Sequence, residues 1–375
     1  MNITYSSSEY EFDRLLIIGD DKMSYKLVVL GGGYGGLALI NELLNKGLPK
    51  GTTITLVDRS PFQGLKTEYY SLAAGTASDQ QLRVAFPNSP HVELALGEIT
   101  EIDREQKIVH VAGHDPIHYD TLVIGLGCVD HYHGVEGAAK YANSLQTFQA
   151  ARKAYADLNN VKPYGQVTIV GGGLSGVEMA SELRESRPDL NIALINRGPN
   201  LLGSFPSNVQ TYVAEWFLEH NVDMLINTAL HRIEPGVLYA EGQSRPIEAN
   251  AILWTAGIQP VPLVQHLQAA KDKQGRLIVN DQYQLPDDPH IYVIGDCASS
   301  DYSPSAQVAG LQGERVAKIL HAIWHNHTIQ LESFKLRGTL GALGKHNGFG
   351  VMGKLSMRGR IPRLIKSGVL WRSKH

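Results

Sequence analysis

Two glycine-rich turns of the same kind stand 140 residues apart in this chain. Residues 31–36 read GGGYGG, and residues 171–176 read GGGLSG. Each turn follows a short apolar run, at 26–30 and at 166–170, and each opens a stretch with helical character. One such turn is a weak signal, but two in matching strand–turn–helix settings predict that the chain holds two dinucleotides.

The glycines of each turn have separate roles in a dinucleotide site. The first permits the tight turn, the second lets the backbone approach the pyrophosphate, and the third lets the helix pack against the strand. The helix N-terminus then offers unpaired N–H groups and partial positive charge to the phosphates. An ordinary strand–helix turn is the alternative. The glycines predicted to line the two sites are Gly31, Gly33, Gly35 and Gly36 in the first turn and Gly171, Gly173 and Gly176 in the second.

The residue at the end of the second strand differs between the two repeats. Asp58 stands 27 residues after Gly31, where a carboxylate can accept both ribose hydroxyls of an adenosine. A solvated strand-end acid is the alternative. The second repeat has Asn196 and Arg197 at this place. A guanidinium can bind a 2′-phosphate, which indicates NADPH or the use of both nucleotides. A surface arginine beside an ordinary NADH site remains the alternative.

A third apolar run, at 290–294, leads into Asp296. A carboxylate at this strand end can accept hydrogen bonds from the ribityl hydroxyls of a flavin. It can also cap the N-terminus of a helix, and the two roles are compatible. Residues 305–325 then read as a helix, because apolar residues recur at helical spacing.

The same order of elements occurs twice: a glycine turn, a second strand, and a later strand that leads into a glycine. This duplication predicts an α/β fold with two Rossmann-like dinucleotide-binding domains and a short C-terminal segment. Because the run at 290–294 follows the second repeat, the first domain is predicted to be discontinuous. The predicted parts are an N-terminal extension at 1–24, an FAD-binding domain at 25–143 plus 258–330, an NAD(P)-binding domain at 144–257, and a basic segment at 331–375. Met23 also reads as a natural start, so residues 1–22 are either an appendage or no part of the natural protein.

These motifs together resemble a known family, the type II NADH:quinone oxidoreductases, within the two-dinucleotide flavoproteins. Its members are single-subunit FAD enzymes that feed respiratory quinone pools. The resemblance covers about residues 26–350 and implies a glutathione-reductase-like fold. The disulfide reductases of the same superfamily carry a redox cysteine pair near the flavin, which this chain lacks. The matching segments are GGGYGG at 31–36, GLG at 125–127, GGGLSGVE at 171–178, TAG at 255–257, IGDCA at 294–298 and AQVAGLQGE at 306–314.

The resemblance implies roles for particular residues. Glu178 lies near the nicotinamide and the flavin in relatives, although a first-turn helix glutamate favoured by the helix dipole is the local alternative. Gln307 and Gln312 match glutamines that lie by the flavin and the quinone pocket, and with Glu178 they are the predicted catalytic residues. Leu311 replaces a further glutamine of that segment, which removes an amide from the expected quinone site. The implied FAD ligands are Gly31, Gly33, Gly35, Gly36, Asp58, Asp296 and Ala306, and the implied nicotinamide-nucleotide ligands are Gly171, Gly173, Gly176, Arg197 and Gly257.

The predicted function is therefore an FAD-dependent NAD(P)H dehydrogenase. Hydride passes from NADH or NADPH to FAD, and electrons then pass to a quinone or another small acceptor. A soluble NADPH-dependent flavoprotein reductase with a protein or small-molecule acceptor is one alternative, supported by Leu311. A flavin-binding sensor without useful turnover is another. The sequence leaves a homodimer open.

The last 22 residues, 354–375, are basic and contain no Asp or Glu. Apolar residues are interleaved with the cations, which is typical of a short amphipathic helix that lies against anionic lipid. We expect only weak membrane-surface contact, because a single short segment binds weakly. A solvated tail, or a segment packed on the body or on a partner subunit, is the alternative. The cations are Lys354, Arg358, Arg360, Arg363, Lys366, Arg372 and Lys374.

Composition and residue spacing exclude several other functional classes. A net charge of −3 gives no overall basic field for nucleic acid. No apolar run approaches the length of a membrane-spanning helix. The two cysteines, Cys128 and Cys297, form no CxxC pair and read as small buried residues. This cysteine usage fits a protein of the reducing cytoplasm, and a peripheral position on the cytoplasmic face of the membrane stays open. The histidine doublets at 131–133 and 325–327 lack supporting ligands, so no metal is expected.

Overall fold

The computed structural model describes residues 24–372. The expected N-terminal extension therefore lies outside the described residues except for its last position. The α-helices are α1 (Tyr34–Lys46), α2 (Tyr69–Ala73), α3 (Ala138–Tyr141), α4 (Phe148–Asn159), α5 (Leu174–Ser186), α6 (Ser207–Glu219), α7 (Pro262–His266), α8 (Ala306–Trp324) and α9 (Arg360–Arg372). Short 3₁₀ helices lie at Lys66–Glu68, Gln80–Leu82 and Gly295–Cys297.

The strands are short and numerous. They are β1 (Tyr25–Leu30), β2 (Thr52–Asp58), β3 (Phe62–Gly64), β4 (Arg83–Ala85), β5 (Val92–Leu96), β6 (Ile99–Asp103), β7 (Ile108–Val111), β8 (Ile117–His118), β9 (Thr121–Ile124), β10 (Cys128–Asp130), β11 (Asn143–Ser144), β12 (Gln166–Val170), β13 (Asn191–Ile195), β14 (Val222–Leu225), β15 (Leu230–Glu234), β16 (Val237–Ala240), β17 (Ile247–Glu248), β18 (Ala251–Trp254), β19 (Ile258–Pro260), β20 (Gln284–Leu285), β21 (Asp288–Val293), β22 (Thr339–Leu343), β23 (Asn347–Met352) and β24 (Leu355–Gly359).

The first large sheet has the strand order β20-β21-β9-β1-β2-β5. Its pairs are parallel except for β20 with β21 at one edge. The apolar run of β1 is buried because helices α1 and α8 cover one face and further elements cover the other. The strands come from both sides of residues 143–254, so the chain leaves this sheet and returns to it.

The second large sheet is entirely parallel, in the order β11-β18-β12-β13-β14. Strands β12 and β13 occupy the predicted runs 166–170 and 191–195. Strand β18 ends at Trp254, directly before the TAG segment at 255–257. The α/β fold class with two Rossmann-like halves is confirmed. The residue boundaries of the domains stay a prediction.

The C-terminal segment has structure that the sequence analysis did not predict. Strands β22, β23 and β24 form an antiparallel sheet, and α9 packs against it. The glycines of β22 and β23 obscure the strand pattern, and one of them, Gly341, leaves room for the fully buried Phe349. The expected basic helix is confirmed as α9. Within residues 24–372, no helix combines the length and the hydropathy needed to cross a membrane.

Some glycines of the two turns are packed against backbone, whereas others face open space. A Cβ added at Gly36 would meet the carbonyl oxygen of Gly31, and one at Gly176 would meet that of Gly171. In contrast, nothing lies within 4 Å of a Cβ at Gly33 or Gly173. The third glycine of each turn is therefore required by the fold, while the middle one leaves open space.

We predict that Gly176→Ala lowers the free energy of unfolding by about 1–3 kcal/mol, because its Cβ must displace packed backbone. Gly173→Ala is the matched control, since its φ of −79° suits alanine and its Cβ meets no atom. We expect that control to change stability by less than about 0.5 kcal/mol. Urea unfolding of both variants measures the difference, and equal losses would contradict the packing argument.

Candidate active site

The first glycine turn joins β1 to α1 beside the end of β2. Gly31 has a φ of +98°, and Gly33 caps α1 without a side-chain hydrogen bond. Asp58 accepts a hydrogen bond from the Gly32 N–H through Oδ2 at 2.7 Å and one from the Ser60 N–H through Oδ1 at 2.8 Å. These bonds fix the carboxylate beside the turn, and each oxygen retains acceptor capacity for a ligand hydroxyl.

Asp296 lies at the end of β21, in the 3₁₀ helix Gly295–Cys297. It is not the cap of the following long helix, because Ser305 caps α8 by accepting from the Val308 N–H at 3.2 Å. The N-cap alternative for Asp296 is therefore wrong for α8. The thiol of Cys128 donates to Asp296 Oδ2 at 3.0 Å, so Asp296 faces β10.

Helix α8 begins beside this carboxylate with Ala306 and Gln307, both half-buried. Gln312 is fully buried, and its Oε1 accepts from the Gly295 N–H at 2.6 Å. Its side chain also interacts with the Tyr283 hydroxyl. Gln312 thus connects α8 to the 3₁₀ helix that carries Asp296. Leu311, beside it, is half-buried.

The second glycine turn opens into a cavity of about 800 Å³. Gly171, Asn196 and Arg197 line it, and so do Ala256 and Gly257. The Asn196 side chain accepts from the Gly172 N–H at 3.3 Å and donates to the carbonyls of Gly198 at 3.0 Å and Asn200 at 2.8 Å. Asn196 thus makes the same bond to the turn as Asp58, but without a negative charge. Arg197 is exposed at the mouth.

Glu178 is the fifth residue of α5 and is buried. The first-turn alternative is therefore wrong. Its Oε1 accepts from the Ala342 N–H at 2.9 Å and lies 2.5 Å from the Nζ of Lys366. Lys366 also lies 3.1 Å from Glu68 Oε1 and donates to the Tyr70 hydroxyl at 2.9 Å. We call Glu68, Tyr70, Glu178 and Lys366 the buried ion network.

Burial raises the pKa of Glu178, and the adjacent Lys366 ammonium opposes that rise. Burial lowers the pKa of Lys366, but Glu178, Tyr70 and Glu68 together bring it well above its ordinary value. Lys366 is thus a cation with a side chain 12% exposed. The sequence analysis counted it among the cations of a surface tail, which is wrong for this residue. In the sequence, nothing distinguishes Lys366 from the other cations of the basic segment. The sequence analysis also did not predict a role for Glu68.

Comparisons with known proteins bear on this site. The family model described as pyridine nucleotide-disulphide oxidoreductase matches residues 25–313. The chain belongs to this family. The NADH dehydrogenase-like protein YutJ of Bacillus subtilis is 48% identical over 93% of this chain and 99% of its own length. A type II NADH:quinone oxidoreductase of Staphylococcus saprophyticus is 27% identical over 91% of this chain and 93% of its own length.

Solved structures show the same fold. NDH2 from Plasmodium falciparum in complex with NADH has a TM-score of 0.82 at 18% identity, over 94% of this chain and 95% of that chain. The predicted resemblance is confirmed, and the protein is an oxidoreductase of the NADH dehydrogenase-like type. FAD and a nicotinamide nucleotide are its cofactors. The two open glycine turns and the Asp58 carboxylate fit such ligands.

This member of the pyridine nucleotide-disulphide oxidoreductase family has no disulfide. Cys128 and Cys297 are both buried free thiols. Burial raises the pKa of each to about 12. A thiol with that pKa carries almost no thiolate near neutral pH and is a poor nucleophile. Both are small buried residues, as the sequence predicts.

We predict that Lys366→Met lowers stability by about 3–5 kcal/mol near neutral pH, because Glu68 and Glu178 lose their buried partner. The loss should shrink as pH falls through the raised pKa of Glu178, because protonation removes the uncompensated charge. Unfolding midpoints of the FAD-loaded protein between about pH 5 and pH 8 measure this.

Lys354→Met is the matched control, since Lys354 is exposed on the turn between β23 and β24. It should change stability by less than about 0.5 kcal/mol. A Lys366→Met loss of constant size across this pH range would show that packing, rather than charge, accounts for it.

Proposed function

We propose that this protein is an NADH dehydrogenase that passes electrons through FAD to a quinone-like acceptor. The observation that carries the proposal is the pair of open glycine turns, each at the carboxyl end of a parallel sheet, in one chain. Ligands of doubly wound sheets bind at such crevices. The names of the relatives in Bacillus subtilis and Staphylococcus saprophyticus support the same activity.

The first turn is proposed to hold FAD. Gly31, Gly33, Gly35 and Gly36 bring the N-terminus of α1 to the pyrophosphate, where unpaired N–H groups favour anions. Asp58 accepts the adenosine ribose hydroxyls, and Asp296 with Ala306 lies by the ribityl chain. When bound, FAD accepts two electrons from the nicotinamide nucleotide and releases them to a second acceptor.

The second turn is proposed to hold the nicotinamide nucleotide. Gly171, Gly173 and Gly176 place α5 behind its pyrophosphate, and Gly257 borders the cavity on the β18 side. Neutral Asn196 does not repel a 2′-phosphate, and exposed Arg197 can pair with one. This observation favours a second candidate, an NADPH-dependent reductase with a protein or small-molecule acceptor.

Glu178, Gln307 and Gln312 are the proposed catalytic residues. Gln312 accepts from the Gly295 N–H beside Asp296, and Gln307 stands five residues earlier on α8. Lys366 holds the Glu178 carboxylate in place through Oε1. Leu311 makes this acceptor region less polar than an amide would.

Helix α9 is the proposed point of weak contact with the cytoplasmic face of the membrane. Lys366 fixes one face of α9 to the body, while Ile361, Leu364 and Trp371 are 63%, 70% and 65% exposed. Exposed apolar side chains among arginines suit an anionic lipid interface. A homodimer stays a prediction.

The test is anaerobic mixing of the FAD-loaded protein with NADH while the visible flavin absorbance is followed. We predict rapid bleaching, and return of the absorbance when a quinone is added. Bleaching without return would remove the quinone from the proposal and favour another acceptor. Absence of bleaching with both NADH and NADPH, despite bound FAD, would leave a flavin-binding sensor.

Quinone presented in vesicles extends the same measurement to the membrane. Vesicles with anionic lipid should give faster return of the absorbance than zwitterionic vesicles, and added salt should remove the difference because it screens the charges. Equal rates in both vesicles would exclude a functional contact through α9.

We predict that Arg197→Ala raises the KM for NADPH about tenfold and leaves the KM for NADH nearly unchanged, because only NADPH carries the 2′-phosphate. Steady-state kinetics with each nucleotide measure this. Arg245→Ala, at another exposed arginine in the same half of the chain, is the control. Equal effects of Arg197→Ala on both nucleotides would exclude a 2′-phosphate contact.

A further inference from the structure

His133 lies in the connection between β10 and α3, where the chain crosses from the first large sheet to the second. It lines the cavity of the second glycine turn. Arg197 lines the same cavity from the end of β13. The cavity therefore has two basic side chains from separate parts of the chain, and neither belongs to the glycine fingerprint.

The strand order assigns these two residues to different halves of a bound dinucleotide. Strand β12 carries the glycine turn, with β13 on one side of it and β18 on the other. The pyrophosphate lies at the N-terminus of the helix after the turn, and the residue ending the next strand meets the adenosine ribose. Adenosine therefore lies toward Asn196. The nicotinamide half extends the other way, past β18 toward Ala256, Gly257 and His133.

The backbone and its neighbours hold the His133 ring in a defined position. Nε2 lies 2.8 Å from the carbonyl oxygen of Ala256. His133 has a φ of +50°, which is uncommon for a residue with a side chain and clusters at functional sites. A Cβ on Gly257 would lie 2.6 Å from Nε2, so only glycine leaves room for the ring.

These contacts also fix which ring nitrogen is available. To bond the Ala256 carbonyl, Nε2 must carry the proton, so Nδ1 is the acceptor of the neutral ring. Nδ1 has no hydrogen-bond partner among the described residues. The ring of His131 lies beside it, with centroids 4.1 Å apart and the ring planes tilted by 43°. The ring is thus oriented before any ligand arrives, with one acceptor left for it.

We propose that His133 is a recognition residue for the nicotinamide half of the dinucleotide, and that Nδ1 accepts a hydrogen bond from a hydroxyl of the nicotinamide ribose. The inference rests on the proposed function, because it assumes that this cavity binds a nicotinamide nucleotide. The linker between the two sheets then belongs to the nucleotide site, and the Ala256 carbonyl is its positioning partner.

The test is equilibrium binding of NAD⁺, nicotinamide mononucleotide and ADP to the FAD-loaded protein by calorimetry. His133→Phe keeps a ring but removes the acceptor. It should weaken NAD⁺ and nicotinamide mononucleotide about 3- to 10-fold, the effect of one hydrogen bond, and leave ADP unchanged. Unchanged NAD⁺ affinity, or an equal loss for ADP, would overturn the inference.

Two further variants separate recognition from structure. His133→Gln can donate to Ala256 and accept from ribose, so it should recover most of the NAD⁺ affinity. Arg197→Ala is the matched control at the other end of the cavity, and it should leave nicotinamide mononucleotide unaffected. A Gln variant as weak as the Phe variant would contradict the proposed hydrogen bond, because an acceptor at this position would then not restore the affinity. If the unaltered protein binds neither NAD⁺ nor ADP, the proposed function itself fails.

Discussion

One buried ammonium connects three separate parts of this molecule. Lys366 of α9 lies against Glu178 of α5 and Glu68 of the loop after β3, two carboxylates that share no other cation among the described residues. Burying a charge is costly unless it is paired and hydrogen-bonded, and here the Ala342 N–H and the Tyr70 hydroxyl complete the pairing. Because no member is satisfied without the others, the C-terminal segment must dock for the proposed active site to be complete.

The two halves of the protein share one arrangement of glycine turn, helix and strand-end side chain. Both turns require their third glycine for helix–strand packing and leave the middle one open. Both bond a strand-end side chain to a backbone N–H of the turn, Asp58 to Gly32 in one half and Asn196 to Gly172 in the other. The two positions differ by a single charge, and the proposed choice of nucleotide depends on that difference. The proposed role of His133 lies outside this repeated arrangement.

The sequence predicts what depends on local order along the chain. Strands β12 and β13 and helix α8 match the expected segments, because apolar runs and spacing are local signals. The network around Glu178 could not be predicted, since Glu68 and Lys366 stand far from it in sequence and only tertiary packing brings them together. The β22–β24 sheet was missed for a related reason. Its glycines are weak strand formers, and the contact between Gly341 and Phe349 exists only in the folded chain.

The roles of the individual site residues remain proposals, yet the structure already orders them by accessibility. Arg197 and His133 are exposed at the nucleotide cavity, whereas Glu178 and Gln312 are buried. The residues proposed to recognise the nucleotide are thus separate from the residues proposed to be catalytic. Substitutions at the first pair should be tolerated by the fold far better than substitutions at the second.

The position of the two thiols has a practical consequence. Cys128 and Cys297 are the only cysteines of the chain, and both lie beside Asp296. Neither reacts readily in the folded state, since both are buried and protonated. The rate at which an alkylating reagent modifies the native protein therefore reports how often the structure around Asp296 unfolds locally, and it does so without any engineered label.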